Sequence, residues 1–216
     1  MPLFRLHRPT ARHALLLLGM IVPLSVAVAV ASLLSARGDF AFETPLMLAV
    51  HRHTAGTLLE QLALLLHWLG KWPSATLMTL CLAAYEYRQR RGGRAVLVLA
   101  GTGLSTAVTA IGKVFFDRAR PELWPRLVEE ASASFPSGHS AFAAAFAVLW
   151  MILYWHTPQR GKVAAVAGLL LLLAGLSRVV LGVHYPTDVL VGWMVGGVSV
   201  LGVYAVMSTG RRKQAT

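Results

Sequence analysis

ALLLLGMIVPLSVAVAVASLLSA, residues 14–36, carries no charged side chain in 23 positions. At about 1.5 Å per residue, a helix of that length crosses a hydrocarbon core of about 30 Å. Arg5, Arg8 and Arg12 precede it, as they would a signal peptide. A signal core, however, runs only about 7–15 residues, so a retained membrane helix is expected.

The pattern recurs along the chain. Trp72–Tyr85 is charge-free but short, and extends back to Trp68 if Lys71 snorkels. Further apolar runs lead to six expected spans, at about 14–36, 68–87, 95–112, 138–155, 163–178 and 187–208. Between the first two lies FAFETPLMLAVHRHTAGTLLEQLALLLHWLG, residues 40–70, apolar with scattered polar residues. It suggests one or two helices lying in the membrane interface. The expected fold is therefore all-α: a single membrane domain over residues 1–216, a bundle of six transmembrane helices with an interfacial helical segment between spans one and two.

Composition agrees. Of 216 residues, 56% are hydrophobic and 13% charged, about half the roughly 25% charge typical of soluble domains. That excludes a disordered chain and leaves no room for a sizeable soluble domain. The one cysteine, Cys81, permits no intrachain disulfide and lies in an apolar segment, where packing is its expected role. The net charge of +11 would suit nucleic acid, but the charges lie between apolar spans, so no nucleic-acid partner is expected and topology explains them better.

Six spans place both termini on one side. That side holds twelve Lys and Arg residues against one acid, Glu86, while the other holds eight basic and eight acidic residues. By the positive-inside rule the termini are cytoplasmic. The arginine clusters read as topology signals, with lipid head-group binding the lesser alternative.

The unusual residues then fall together on the outer side, where spans three and five end and spans four and six begin. Each has a bland reading alone. Lys113 is a snorkelling end residue, Arg120 a loop charge, and Ser137 a helix N-cap. His184 and Asp188, four apart, form a pair of the kind often purely structural. Together they suggest more, because charge at a membrane edge is costly. Lys113, Arg120 and Arg178 are cations. Pro136-Ser137-Gly138-His139 opens a helix whose N-terminal N–H groups favour anions, and Gly138 lets a ligand approach the backbone. Asp188 can fix the tautomer of His184. Cations and N–H groups suit phosphate, one histidine can attack phosphorus and the other can protonate a leaving oxygen. The chemistry indicated is phosphoryl transfer.

No metal is expected. Eight histidines invite one, but there is no H-E-x-x-H and no cysteine pair, and three cations near His139 and His184 would repel a divalent ion. His51, Arg52 and His53 are expected at the interface; His7, His13, His67 and His156 read as boundary residues.

Three motifs carry a family resemblance: Lys113, six residues, then Arg120-Pro121; Pro136-Ser137-Gly138-His139; and Ser177-Arg178, five residues, His184, three residues, Asp188. In order and complete, they resemble the signature of the type 2 phosphatidic acid phosphatase superfamily. The resemblance implies His184 as nucleophile, Asp188 orienting it, His139 as general acid, and Lys113, Arg120, Ser137, Gly138 and Arg178 holding phosphate, with no cofactor. It also implies a multi-pass protein of the bacterial inner membrane with its site facing the periplasm or exterior. The expected substrate is a lipid phosphate whose tail stays in the bilayer: undecaprenyl pyrophosphate, phosphatidylglycerophosphate, phosphatidate or lipid A. A lipid phosphotransferase using the same intermediate is the alternative. A transporter would need charges in the buried halves of the spans, where none occur, and a membrane location argues against a haloperoxidase.

Overall fold

In the computed structural model, residues 11–213 are described, with side chains described from Leu16 to Ser208. Arg5, His7 and Arg8 lie outside the described residues. Eight helices follow in order: α1 Ala11–Arg37, α2 Glu43–Thr54, α3 Leu58–Gly70, α4 Trp72–Arg88, α5 Gly92–Phe116, α6 Gly138–Tyr154, α7 Arg160–Val180 and α8 Pro186–Lys213. The fold is all-α among the described residues, as expected. Among the described residues, four helical stretches are long and apolar enough to cross a membrane: Leu16–Arg37, Gly92–Phe116, Arg160–Val180 and Pro186–Ser208. The other two expected spans are the helices α4 and α6, of 17 residues each. At about 1.5 Å per residue each is about 26 Å long, slightly short of the hydrocarbon core. The segment expected at the interface forms two helices, α2 and α3.

Local chemistry sets these boundaries. Thr57 caps α3 by accepting from the Leu59 N–H at 3.2 Å, and Ser137 caps α6. Pro73 and Pro186 stand in the first turns of α4 and α8, where the missing N–H costs nothing. Asp117 takes a left-handed conformation, φ 40°, and ends α5.

Helix α8 is central, packed against α1, α5, α6 and α7. Gly192 and Gly196 permit its contact with α6. A Cβ on Gly192 would meet the Ser137 carbonyl oxygen at 2.6 Å, and one on Gly196 would overlap that of Ala141. Small residues allow backbones to approach this closely. One apolar core joins Ala83 of α4, Leu97 and Val98 of α5, Ala145, Leu149 and Leu153 of α6 and Val200 of α8. It lies at the end away from the starts of α6 and α8. At the opposite end these starts meet the ends of α3, α5 and α7, and there the buried polar residues gather: Arg118, Arg120, Ser134, Ser137, Arg178, His184, Thr187 and Asp188. Much of the outward surface of α1, α5 and α7 is large and apolar, Leu17, Ile21, Ile111, Val114, Leu169 and Leu172 included, as lipid-facing helices require.

Candidate functional site

His184 follows the end of α7 and precedes α8, and its side chain is buried. Arg120 Nη1 lies 3.2 Å from its Nε2, and Ser134 Oγ lies 3.3 Å from its Nδ1. Asp188 Oδ2 lies 3.5 Å from the same Nδ1. Burial, and then the positive charge of Arg120, pull the imidazole down to about 4 against the opposing pull of Asp188. It is therefore neutral at pH 7. A guanidinium can only donate, so Nε2 is the acceptor and Nδ1 carries the proton. That proton faces Ser134 and Asp188, while the Nε2 lone pair faces Arg120.

Asp188, in the first turn of α8, is fully buried and fully engaged. Its Oδ2 accepts from Ser134 Oγ at 2.5 Å and from the Tyr185 N–H at 2.8 Å, and its Oδ1 accepts from Arg118 at 2.6 Å. Arg118 also donates to Glu43 at 2.5 Å and stacks over the Tyr185 ring at 3.9 Å. Burial opposes its charge, but Asp188 and Glu43 outweigh that and hold the guanidinium above its ordinary value. The backbone of Ser137 donates to the Asp188 carbonyl at 3.0 Å, tying the start of α6 to the start of α8.

The cations come from three elements. Lys113, in the last turn of α5, donates to Ser132 Oγ at 3.2 Å and to the Ala133 carbonyl. Arg120 donates to the Ser132 carbonyl at 2.8 Å and the Val183 carbonyl at 2.7 Å. Burial lowers Arg120 from its ordinary value, yet it stays charged, as arginine does in proteins. Arg178, in α7, is the largest fully buried side chain; it donates to Ser177 Oγ at 3.1 Å and to His67 Nδ1 at 2.9 Å.

Ser137 is an N-cap, accepting from the Ser140 N–H at 3.4 Å and the Ser140 hydroxyl at 3.0 Å. The first N–H groups of α6, at Gly138 and His139, precede any helical carbonyl. A Cβ at Gly138 would meet only Thr109, at an ordinary 3.7 Å, so the protein's own packing does not require glycine there. His139 points at α3. Its Nε2 donates to the His67 carbonyl at 3.0 Å, and its ring stacks on His67 at 5.4 Å. That carbonyl lies in the last turn of α3.

All eight sequence-expected residues therefore lie at one end of the bundle. His184, Asp188, Arg120 and Lys113 form one cluster with Ser134; Arg178 and His139 form a second through His67. Glu130 lies between them, 3.9 Å from Arg120 and 3.6 Å from His67. His67 is no boundary residue: it is fully buried inside the site. Glu43, His67, Arg118, Glu130 and Ser134 escaped the sequence reading. Arg118 stood inside the first motif, two residues before Arg120, and a lone carboxylate in an apolar stretch was the signal at Glu43.

His67, Glu130 and His139 bring ligand-type atoms within 4.8 Å of one another. A metal ion there would face the Arg178 nitrogen already on His67 Nδ1, and Arg120 beside Glu130. The donor set fits an anion's neighbours better than a cation.

Helices apolar enough to cross a membrane, with cations, a helix N-terminus and a histidine–aspartate pair, define a multi-pass membrane protein with a buried polar cluster at one end. The chain belongs to the PAP2 superfamily, whose family model matches residues 94–212. It is 41% identical over 117 residues to phosphatidylglycerophosphatase B of Bacillus subtilis (strain 168), covering 52% of this chain and 56% of that protein. It is 34% identical over 105 residues to a lipid A 1-phosphatase of Rhizobium etli, covering 47% of this chain and 43% of that protein. The matched stretch thus spans about half the length of each relative. The fold also resembles the crystal structure of a transmembrane PAP2 type phosphatidylglycerolphosphate phosphatase from Bacillus subtilis. The TM-score is 0.80 at 26% identity, over 89% of this chain and 97% of that one.

Proposed function

We propose that this protein is a membrane lipid phosphatase that works through a phosphohistidine. One observation carries the reading: the buried His184 ring sets Nδ1 against Ser134 and Asp188 and Nε2 against the Arg120 guanidinium. Nε2 attacks phosphorus and the P–O bond to the leaving alcohol breaks. His139, which takes a proton on Nδ1 once the phosphate dianion is bound while Nε2–H stays on the His67 carbonyl, gives that proton to the departing oxygen. Water then attacks the phosphohistidine while the now neutral His139 Nδ1 takes its proton; the P–N bond breaks, and phosphate, neutral His184 and protonated His139 return. Asp188 supports the positive charge that His184 gains on attack. Lys113, Arg120, Arg178, the Ser137 hydroxyl and the N–H groups of Gly138 and His139 hold the phosphoryl oxygens. No metal is needed, because cations and N–H groups supply the stabilisation.

The substrate is a lipid phosphate. The similarity to a phosphatidylglycerophosphatase and a lipid A phosphatase favours a lipid phosphomonoester such as phosphatidylglycerophosphate or phosphatidate over a lipid diphosphate such as undecaprenyl pyrophosphate. In this reading α4 and α6 cross the membrane beside the four longer helices, α2 and α3 lie at the interface, and the 216 residues form one domain. Both termini are cytoplasmic and the site faces the periplasm or exterior of a bacterial inner membrane, as the charge asymmetry favours.

The test is phosphate release from a panel of lipid phosphates by the purified chain with EDTA present, together with acid-quench trapping of phosphate on the protein. Release, with trapping lost in His184→Ala, is expected. Transfer of the phosphoryl group to a second lipid without release would favour a phosphotransferase. Trapping that survives His184→Ala would refute the assigned nucleophile.

A further inference from the structure

Asp188 has two carboxylate oxygens with different neighbours. Oδ2 faces His184, Ser134 and the Tyr185 N–H, while Oδ1 is held by Arg118 at 2.6 Å. The other arm of Arg118 reaches Glu43 Oε2 at 2.5 Å. Glu43 Oε1 accepts from the Thr187 hydroxyl at 2.6 Å and the Thr187 N–H at 3.2 Å. Thr187 Oγ in turn accepts from Arg118 at 3.0 Å. Glu43, Arg118, Thr187 and Asp188 are all buried.

We propose that Glu43 and Arg118 are positioning residues for the His184–Asp188 pair, an assignment that rests on the phosphatase reading. Two effects combine. The guanidinium fork spans both carboxylates, pinning Oδ1 and thereby turning Oδ2 toward His184. Arg118 alone, however, would cancel the negative charge with which Asp188 supports His184 as it becomes cationic. Glu43 restores it, since the trio carries one net negative charge. Glu43 also receives the Thr187 N–H in the first turn of α8, where a carboxylate is favourable. It lies outside the 94–212 stretch that matches the family, so no motif marks it.

The test compares Glu43→Gln, Arg118→Lys, Arg118→Met and the double variant Glu43→Gln/Arg118→Met in the full chain. Phosphate release from vesicle-borne phosphatidate and phosphatidylglycerophosphate is measured, with tungstate binding as the probe of an intact oxyanion site. Each single variant is expected to bind tungstate as the parent does and to keep its KM. Its kcat and the rate of phosphohistidine formation should fall about 10–100-fold, the range typical of lost outer-layer support. The double variant keeps the parent's one net negative charge around Asp188, so it should lose less than the Glu43→Gln and Arg118→Met losses multiplied. A kcat unchanged in a variant that binds tungstate, or a loss appearing in KM instead, overturns the proposal. Should Glu43→Gln not bind tungstate, Glu43→Asp, which keeps the charge but shortens the reach, is held to the same criterion. If the unaltered chain releases no phosphate, the phosphatase reading fails and this assignment with it; an active parent with unaffected variants refutes this assignment alone.

Discussion

Gly70 ends α3 directly against His139. A Cβ there would overlap His139 Cδ2 and come within 3.1 Å of Cγ and 3.2 Å of Nε2. In Gly70→Ala the imidazole must swing away and give up its 3.0 Å bond to the His67 carbonyl. The lost hydrogen bond is worth about 0.5–1.5 kcal/mol, and overpacking typically costs about 1–3 kcal/mol. The two describe one displacement, so about 2 kcal/mol of stability is at stake. The effect on rate is larger if His139 protonates the leaving oxygen, because general acid help is worth about 10²–10⁴-fold. Most of that factor should vanish for a lipid alkyl phosphate, and little of it for an aryl phosphate whose oxygen leaves without a proton. The assay is rate against leaving-group pKa, with His139→Ala as the limiting case. Gly103→Ala in α5, whose Cβ would meet nothing within 4 Å, is the control and should keep parent rates. Parent-like rates for Gly70→Ala on both substrate types would refute the reasoning, as would equal losses on both.

Other expectations concern the cations, metal and pH. Arg120→Lys and Arg178→Lys should each lose about 10- to 150-fold in kcat/KM, the equivalent of one charge-assisted contact at about 1.5–3 kcal/mol, because an ammonium cannot copy the fork; near-parent values would misplace the cradle. EDTA should leave phosphate release unchanged and vanadate should inhibit competitively; a requirement for added Mg²⁺ or Zn²⁺ would contradict this. His184, held near 4 when folded, binds its proton at about 6.5 when unfolded. The unfolded chain therefore takes up the proton first as pH falls, and stability should drop between about 6.5 and 4 by up to about 3 kcal/mol. Thermal melts across that range should show the slope in the parent and a shallower one in His184→Asn.

The three motifs could be read from sequence because each is local. The Lys113–Arg120 spacing, the Pro136–His139 turn and the His184–Asp188 interval all survive without knowledge of the fold. The helix ends they mark converge because apolar spans alternate in direction. The partners that complete the site are not local. Glu43 reaches Thr187 across 144 positions, Arg118 reaches Glu43 across 75 and Arg178 reaches His67 across 111. No periodicity links such pairs, so His67 looked like a boundary residue beside Trp68 and Gly70. The helices between residues 37 and 72 were readable as apolar and helical, but their boundaries depended on Thr57 as a cap. Span lengths were harder still, since hydropathy does not reveal that α4 and α6 stop at 17 residues each.

The two short helices that precede the family-matched stretch hold a further lesson. Helix α2 supplies Glu43 to the Arg118 guanidinium, and α3 supplies the His67 ring and the Ala63 carbonyl to Arg178 and the His67 carbonyl to His139. Residues 94–212 therefore do not make a transplantable cassette. Grafted without α2 and α3, they would carry Arg118 without Glu43, and Arg178 without His67 and the Ala63 carbonyl. The catalytic signature is a passenger on a longer chain, and its portability ends where the buried charges of its neighbours begin.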